Sequence, residues 1–379
     1  MRVGIVAESF LPHVNGVSNS VLRILEHLQQ RHHQGVVLAP ASRSAPPPQS
    51  YAGSPIHAMA SLPTPRYRQV RVSLATTRHI TSLLAEHDVD VVHLASPFFT
   101  GLPAVRAASL LDVPVVASYQ TDLAAFVTRY GFAPLAAPIW QRLRAIHSAA
   151  QLNLVPSRAS MEQLRRQGIP HVRLLPRGVD AERFNPRHRC AALRQQWAPG
   201  GETVVGYVGR LAPEKCIDDL RVLHNTPGIR LVIVGDGPER ARLERLLPGA
   251  AFLGFLQGQD LSRAVATFDI GVHTGPHETF CQSLQEVLAS GVPAVAVGAG
   301  GPLDLVESSR NGWLYAPGDL DELRKRVIDL AGDVAKCRAM GRRAREGVET
   351  RTWESVGDQL IAHYRRLTGV ADESLRTAA

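Results

Sequence analysis

Two carboxylates, Glu278 and Glu286, bracket the segment HTGPHETFCQSLQE at residues 273–286. The segment follows an apolar run at residues 270–272 and leads into a helical run at residues 283–290, which Gly291 and Pro293 bring to a stop. Strand, Gly/Pro-bearing loop and helix, in that order, deliver the unpaired N–H groups of a helix N-terminus to the carboxyl edge of a parallel sheet, where an anion can dock. The two acids are eight residues apart, roughly 12 Å along a helix axis at about 1.5 Å per residue, too far to share one atom. That separation suits hydroxyl groups at opposite ends of an elongated, anion-centred ligand, as in a nucleotide-sugar with its ribose, diphosphate and hexose. The same acids could instead be a loop carboxylate favoured by the helix dipole and an exposed helix charge. Spacing alone leaves both readings open.

Two further turns have the same form. TVVGYVGRLAPEK, from Thr203, reads as strand, Gly209 turn and two cations, Arg210 and Lys215, at the entry to a helix. Arginine can grip phosphate oxygens bidentately and lysine adds a mobile point charge, so the pair suits a diphosphate. Surface cations are common, and their placement at the same sheet edge as Glu278 and Glu286 is what favours the site reading. Near the N-terminus a strand at residues 1–6, the loop ESFLPHVNGVSNSV and a helix over residues 18–30 place Gly16 where the backbone can approach a ligand, or where a plain tight turn is needed. The GxGxxG dinucleotide spacing is missing.

The elements that must position these loops are β-branched runs alternating with helices. VDVVHLA at residues 89–95, VPVVASY at 113–119 and the strand at 152–155 continue a βαβα series in the first half, and a second series opens at Thr203, so the fold class is α/β with parallel strands. IRLVIVGDGPE, from Ile229, is a buried strand ending in a Gly-Asp-Gly turn whose Asp236 reads as structural. Ser157 is placed to cap a helix, Asp122 is either a helix cap or a site carboxylate, and His147 reads as a helix-surface histidine. A length of 379 residues with 45% hydrophobic content allows two cores. Residues 181–202, with Pro186, Pro199, Gly200 and Gly201, read as a linker.

The net charge of +8 is uneven: 17 Lys+Arg face 9 Asp+Glu up to residue 180, and 25 face 25 beyond it. A basic first half could meet an acidic substrate or an anionic membrane surface, and RYRQVRVSLATTRH, with Arg66, Arg68, Arg71 and Arg78 beside Tyr67, is either a lipid-facing patch or a solvated basic face. Nothing in it resembles a nucleic-acid module. No apolar run reaches transmembrane length and no signal peptide is read at the start. Cys190, Cys216, Cys281 and Cys337 are too scattered for a zinc site or a disulfide frame, which fits the cytosol.

Taken together, Glu278-x7-Glu286 with the following ASGVPAVA, the PHVNGV loop, GRLAPEK, the GDGPE turn, LLPRGVD and TWES resemble the retaining GT-B glycosyltransferases of the family 4 type, over almost the entire chain. The resemblance implies two Rossmann-like domains facing each other across a cleft: residues 1–180 on the acceptor side, 203–353 binding the nucleotide-sugar, and 354–379 returning as a helix to the first domain. It implies catalytic Arg210, Lys215 and Glu278, with the donor also held by Gly16, Gly209, Phe255, Leu256, Thr279, Phe280, Cys281, Gln282 and Glu286. His13, Asn15, Gln120 and Asp122 would lie on the acceptor or sugar side. One departure stands out, for Gln120 occupies the position of the family's YHT-like histidine, and an amide can bond a hydroxyl but cannot act as a general acid or base.

FLPHVNGV, YQTD and GPHETFCQSLQEVLASGVP look most like bacterial GDP-mannose-dependent α-mannosyltransferases acting on glycolipids, with UDP-sugar-dependent glucosyl- and sulfoquinovosyltransferases as relatives. The expectation is a peripheral enzyme on the inner face of the cell membrane, working in the cell envelope without cofactor or obligatory metal. Its partners would be a nucleotide-sugar, a lipid-linked acceptor and an anionic membrane surface. A sugar phosphorylase and a non-catalytic nucleotide-sugar-binding protein are the alternatives of other classes.

Overall fold

The computed structural model describes residues 1–12, 15–41, 46–63, 71–129 and 131–370. Apart from residues 129–131, the chain forms two compact units. The first comprises Met1–Thr128, Phe132–Arg177 and the segment from Trp353; the second is Gly178–Thr352.

The first unit is built on nine strands: β1 (Arg2–Ala7), β2 (Gln34–Ala41), β3 (Ser50–Tyr51), β4 (Ser54–Pro63), β5 (Arg71–Ser73), β6 (Val91–Ala95), β7 (Val115–Ser118), β8 (Leu152–Val155) and β9 (Val172–Leu174). Their order is β3-β4-β2-β1-β6-β7-β8-β9, with β5 on β4; only β3 and β5 run antiparallel to their neighbour. The second unit has six parallel strands: β10 (Thr203–Val208), β11 (Ile229–Val234), β12 (Ala251–Gly254), β13 (Ile270–His273), β14 (Ala294–Val297) and β15 (Gly312–Tyr315), in the order β12-β11-β10-β13-β14-β15. Strands such as β6, β13 and β14 are buried along their whole length, as continuous apolar runs covered on both faces must be.

Each sheet winds outward in both directions from its first strand. The order therefore reverses between β1 and β6 in one unit and between β10 and β13 in the other. At such a switch point the flanking loops part at the carboxyl ends of the strands and leave a crevice for a ligand. In the second unit those loops begin at Gly209 and Thr274, so the topology alone brings the Arg210–Lys215 and Glu278 segments to one place.

Two expectations need correcting. Residues 181–202 are no linker: Phe184 and Trp197 are 3% and 4% exposed in the second unit's core, and Ala191–Trp197 is a helix. Pro186 opens a short 3-10 turn there, so the prolines and glycines punctuate packed structure. His147 is not on the surface either. It is fully buried, its Nδ1 lies 2.7 Å from Asn153 Oδ1, and burial pushes its pKa down to about 4. The helix expected from Ser157 is present, with Ser157 Oγ accepting from Ser160 N at 3.1 Å.

The last helix, Trp353–Thr368, belongs to the first unit. Leu360, Ile361 and Tyr364 join the core beneath β1 and β6, Tyr364 Oη pairs with His93 Nδ1 at 2.5 Å, and Asp358 takes Arg31 at 2.7 Å and His27 at 2.9 Å. No helix among the described residues is long and apolar enough to cross a membrane.

Candidate functional site

At the switch point of the second unit, β10 runs into Gly209 and the next turn, Pro213–Lys215, is a single turn of 3-10 helix. The loop after β11 lies directly on it. A Cβ at Gly235, whose φ is +136°, would come within 1.9 Å of the Gly209 carbonyl, so only glycine allows this approach. From β13, Thr274 Oγ1 donates to the Lys215 carbonyl at 2.7 Å and ties the two loops together.

Lys215 Nζ reaches across and donates to Glu278 Oε1. Burial pulls the Lys215 pKa down, but the charge and hydrogen bond of Glu278, aided by Cys281 and Glu214, outweigh it, and the ammonium form is favoured. Behind Glu278 stand His273, whose Nε2 is 3.5 Å from Oε1, and Cys281, whose Sγ is 3.4 Å from the His273 ring. Burial drives the His273 pKa down to about 4 and the Cys281 thiol up, so both are neutral near pH 7. Glu278 is fixed from its other side by the Gly298–Gly301 stretch. Gly301 N donates to the Glu278 carbonyl at 2.7 Å, and a Cβ at Gly301 would fall 2.1 Å from the Phe280 carbonyl oxygen.

The other residues singled out in this unit divide clearly. Arg210 pairs with Glu214 one turn on. Glu286 is half-buried in the helix Gln282–Ala289, with Thr279 half-buried in the loop before it. Gln282 sends Nε2 to the Gly178 carbonyl at 3.0 Å. Phe280 and Cys281 are 2% and 4% exposed, so their side chains are core and only their backbone could meet a ligand. Beyond β12, Leu256 packs partly into the core while Phe255 is 73% exposed. Asp236 accepts from Gly237 N at 2.7 Å and pairs with Arg240 at 3.3 Å within its own loop. His273, Glu278 and Cys281 are also the one group among the described residues whose ligand atoms, within 4.8 Å of one another, could hold a metal ion. The Lys215 ammonium on Glu278 competes with a cation there.

In the first unit Asn15 caps the helix Gly16–Gln30, its Oδ1 accepting from Val17 N at 2.9 Å and Ser18 N at 3.0 Å. Asp122 caps too, taking Ala125 N at 2.9 Å on one oxygen and Gln163 Nε2 at 2.6 Å on the other. Arg177, a residue the sequence reading passed over, links two of the expected positions. Its Nη2 donates to Gln120 Oε1 at 2.9 Å, and its Nη1 would be 3.2 Å from a Cβ on Gly16. His13, Arg66, Tyr67 and Arg68 lie outside the described residues. Arg71 is bound to Ser61 through Nε at 2.7 Å and Nη2 at 2.8 Å, so it braces β5 on β4.

Paired cation and carboxylate loops at a parallel-sheet switch point suit a phosphate-bearing ligand, and comparison with known proteins shows the family. Residues 14–183 match the family described as Glycosyltransferase Family 4, and residues 191–347 match Glycosyl transferases group 1. A GDP-mannose-dependent alpha-mannosyltransferase of Mycobacterium tuberculosis is 44% identical over 97% of each chain. The chain belongs to this glycosyltransferase family. The sulfoquinovosyl transferase SQD2 of Arabidopsis thaliana is a more distant relative of the enzyme, 33% identical over 94% of this chain and 71% of the plant protein. Among solved structures, the sucrose-phosphate synthase of Thermosynechococcus elongatus matches with a TM-score of 0.83 at 20% identity, covering 98% of this chain and all of that one. The fold is GT-B, built from two Rossmann-like sheets.

Proposed function

We propose that this enzyme is a retaining α-mannosyltransferase that carries mannose from GDP-mannose to a membrane glycolipid or phosphatidylinositol mannoside. The observation that carries the reading is the 44% identity, over nearly all of both chains, to a protein named as a GDP-mannose-dependent alpha-mannosyltransferase.

In this reading Arg210 and Lys215 neutralise the leaving diphosphate. Their contribution grows as the sugar–phosphate bond breaks, which makes it catalytic and not merely binding. Glu278 orients hexose hydroxyls and Glu286 the ribose. The backbone of residues 279–282 holds phosphate and sugar, Gly209 lets the phosphate come close, and Phe255 and Leu256 mark the base. Substitution proceeds on one face of an oxocarbenium-like sugar, with the departing phosphate accepting the proton of the acceptor hydroxyl. Double displacement would need a second carboxylate as nucleophile, about 5 Å from the first, and this reading assigns none. On the acceptor side Gln120, held by Arg177, offers hydrogen bonds to hydroxyls without acid–base chemistry; Asn15, Asp122 and His13 complete that side, and Gly16 faces the donor diphosphate.

Charge neutralisation by Arg210 and Lys215 leaves no step that needs a metal ion. Activity is therefore expected to persist in EDTA; loss in EDTA with recovery on adding a divalent cation would instead point to the His273, Glu278 and Cys281 group. Attachment to the inner face of an anionic membrane is supported by the basic first half and by Leu62 and Leu74, 57% and 55% exposed on either side of residues 64–70. Co-sedimentation with acidic but not neutral vesicles tests it.

The deciding experiment compares thermal shifts with GDP, UDP and ADP and their sugar conjugates, followed by radiolabel transfer to membrane lipids and determination of the product anomer. A selective GDP and GDP-mannose shift with an α-linked mannolipid is expected. A selective UDP shift would move the donor to the class of the sulfoquinovosyl relative, and a β-linked product would overturn the retaining mechanism.

A further inference from the structure

A second cleft lies in the Gly178–Thr352 unit, at the other end of its sheet. Thr203, Asp269 and Pro293, at the amino ends of β10, β13 and β14, line it, and it is a solvent-open cleft of about 810 Å³. The Gly209 and Thr274 loops leave the carboxyl ends of the same strands, so the two places are separated by the full length of the strands, on the order of 13 Å for four residues.

The charges in this cleft do not balance. Asp269, Glu346 and Glu349 are its acids, and each is already engaged: Asp269 with Arg189 at 2.5 Å and Arg194 at 3.3 Å, Glu346 with Arg343 at 2.8 Å, Glu349 with Arg345 at 2.8 Å. On the helix Val334–Glu346, Lys336, Arg343 and Arg345 each have a carboxylate partner, whereas Arg338 and Arg342 have none among the described residues. Those two are the ones that face the cleft without a partner. They stand four residues apart, so their side chains neighbour one another on one helix face, a like-charge placement that disfavours the helix unless an anion lies between them. The cleft also has an apolar wall, with Val334 59% exposed and Ala331 half-buried.

We propose that this cleft binds a small phosphorylated ligand, Arg338 and Arg342 gripping the phosphate and Val334 and Ala331 taking its organic part. Guanidinium pairs suit phosphate oxygens in number and geometry. The volume is that of a small-molecule pocket.

The probe is inorganic pyrophosphate, titrated calorimetrically into the full chain and into an R210A/K215A variant that removes the cations of the other edge. Binding is expected in both, and R338A/R342A introduced into the R210A/K215A protein is expected to weaken it by about tenfold or more, while R338K/R342K retains most of it. Vesicles of phosphatidylcholine with and without phosphatidic acid then separate the sources: capture that falls with R338A/R342A assigns the phosphate to a lipid headgroup, and capture that does not assigns it to a soluble ligand. In the R210A/K215A protein, pyrophosphate affinity unchanged by R338A/R342A, or no binding at all, would overturn the proposal. If that variant melts without cooperativity, R210Q/K215Q takes its place.

Discussion

In the proposed reading, the lysine held by Glu278 has two partners to choose between. Glu278 keeps the Lys215 ammonium charged and in place; a diphosphate arriving on Lys215 would share that charge and leave Glu278 able to accept from hydroxyls. Lys215→Ala is expected to lower kcat by about 10²–10³-fold with the circular dichroism melt preserved, and undiminished transfer would remove Lys215 from the chemistry. Glu278→Gln is expected to spare GDP binding and lower kcat, since it keeps a hydrogen-bonding group but discards the charge. Acid should act through three other side chains. His93, His147 and His273 are buried with pKa values pushed down to about 4. The unfolded chain therefore binds more protons below about pH 6.5, and stability falls as pH drops from there towards 4, by roughly 2 kcal/mol per histidine at pH 5. A melting temperature flat between pH 6.5 and 5 would show that these rings protonate without penalty. Lys215 and Glu278 were legible because each sits beside a Gly/Pro turn after an apolar strand. Arg177 and Glu214 were not, because sequence does not say which cation shares a partner with which amide or acid. His147 left a signal that was passed over: it continues the buried stripe Ile139, Leu143, Ile146 of its own helix.

Loops carry this chemistry, and the strands decide where the loops go. The parallel strands of the second unit followed from a βαβ series that apolar runs made plain, whereas the order reversal between β10 and β13 is seen only in the structure. The misread residues 181–202 show the limit of composition: prolines and glycines mark turns equally well in a tether and in packed chain, and only the burial of Phe184 and Trp197 distinguishes them. Glycines at close backbone contacts are the sharpest tests at this scale. A methyl group at Gly301 would meet the Phe280 carbonyl oxygen at 2.1 Å, and a backbone atom cannot swing aside. Gly301→Ala is expected to cost about 1–3 kcal/mol in stability and, by displacing the loop that bears Glu278, to reduce turnover by more than that loss of folded protein explains. Denaturant melts and kcat measured on the same preparation check it.

Across the whole molecule, the first unit is discontinuous in sequence. Its core contains Leu360, Ile361 and Tyr364, and His93, buried at the heart of its sheet, is bonded to Tyr364. A chain ending at residue 352 would leave that apolar surface in water and His93 without its hydroxyl partner. Such a truncation is expected to lose cooperative melting of the first unit while the second still unfolds as a unit, seen as loss of one of two transitions by calorimetry; an unaltered trace would mean that the helix Trp353–Thr368 is an appendage.

During synthesis this arrangement inverts the usual order in which folding units mature. Residues 178–352 are contiguous and can close as soon as they leave the ribosome, whereas β1 waits for a helix made after all of them. While the second unit is being made, the first therefore stands as an open sheet with an uncovered apolar face. That nascent face is where a holding chaperone would be needed, and emergence of the helix Trp353–Thr368 from the exit tunnel is the event that ends the need.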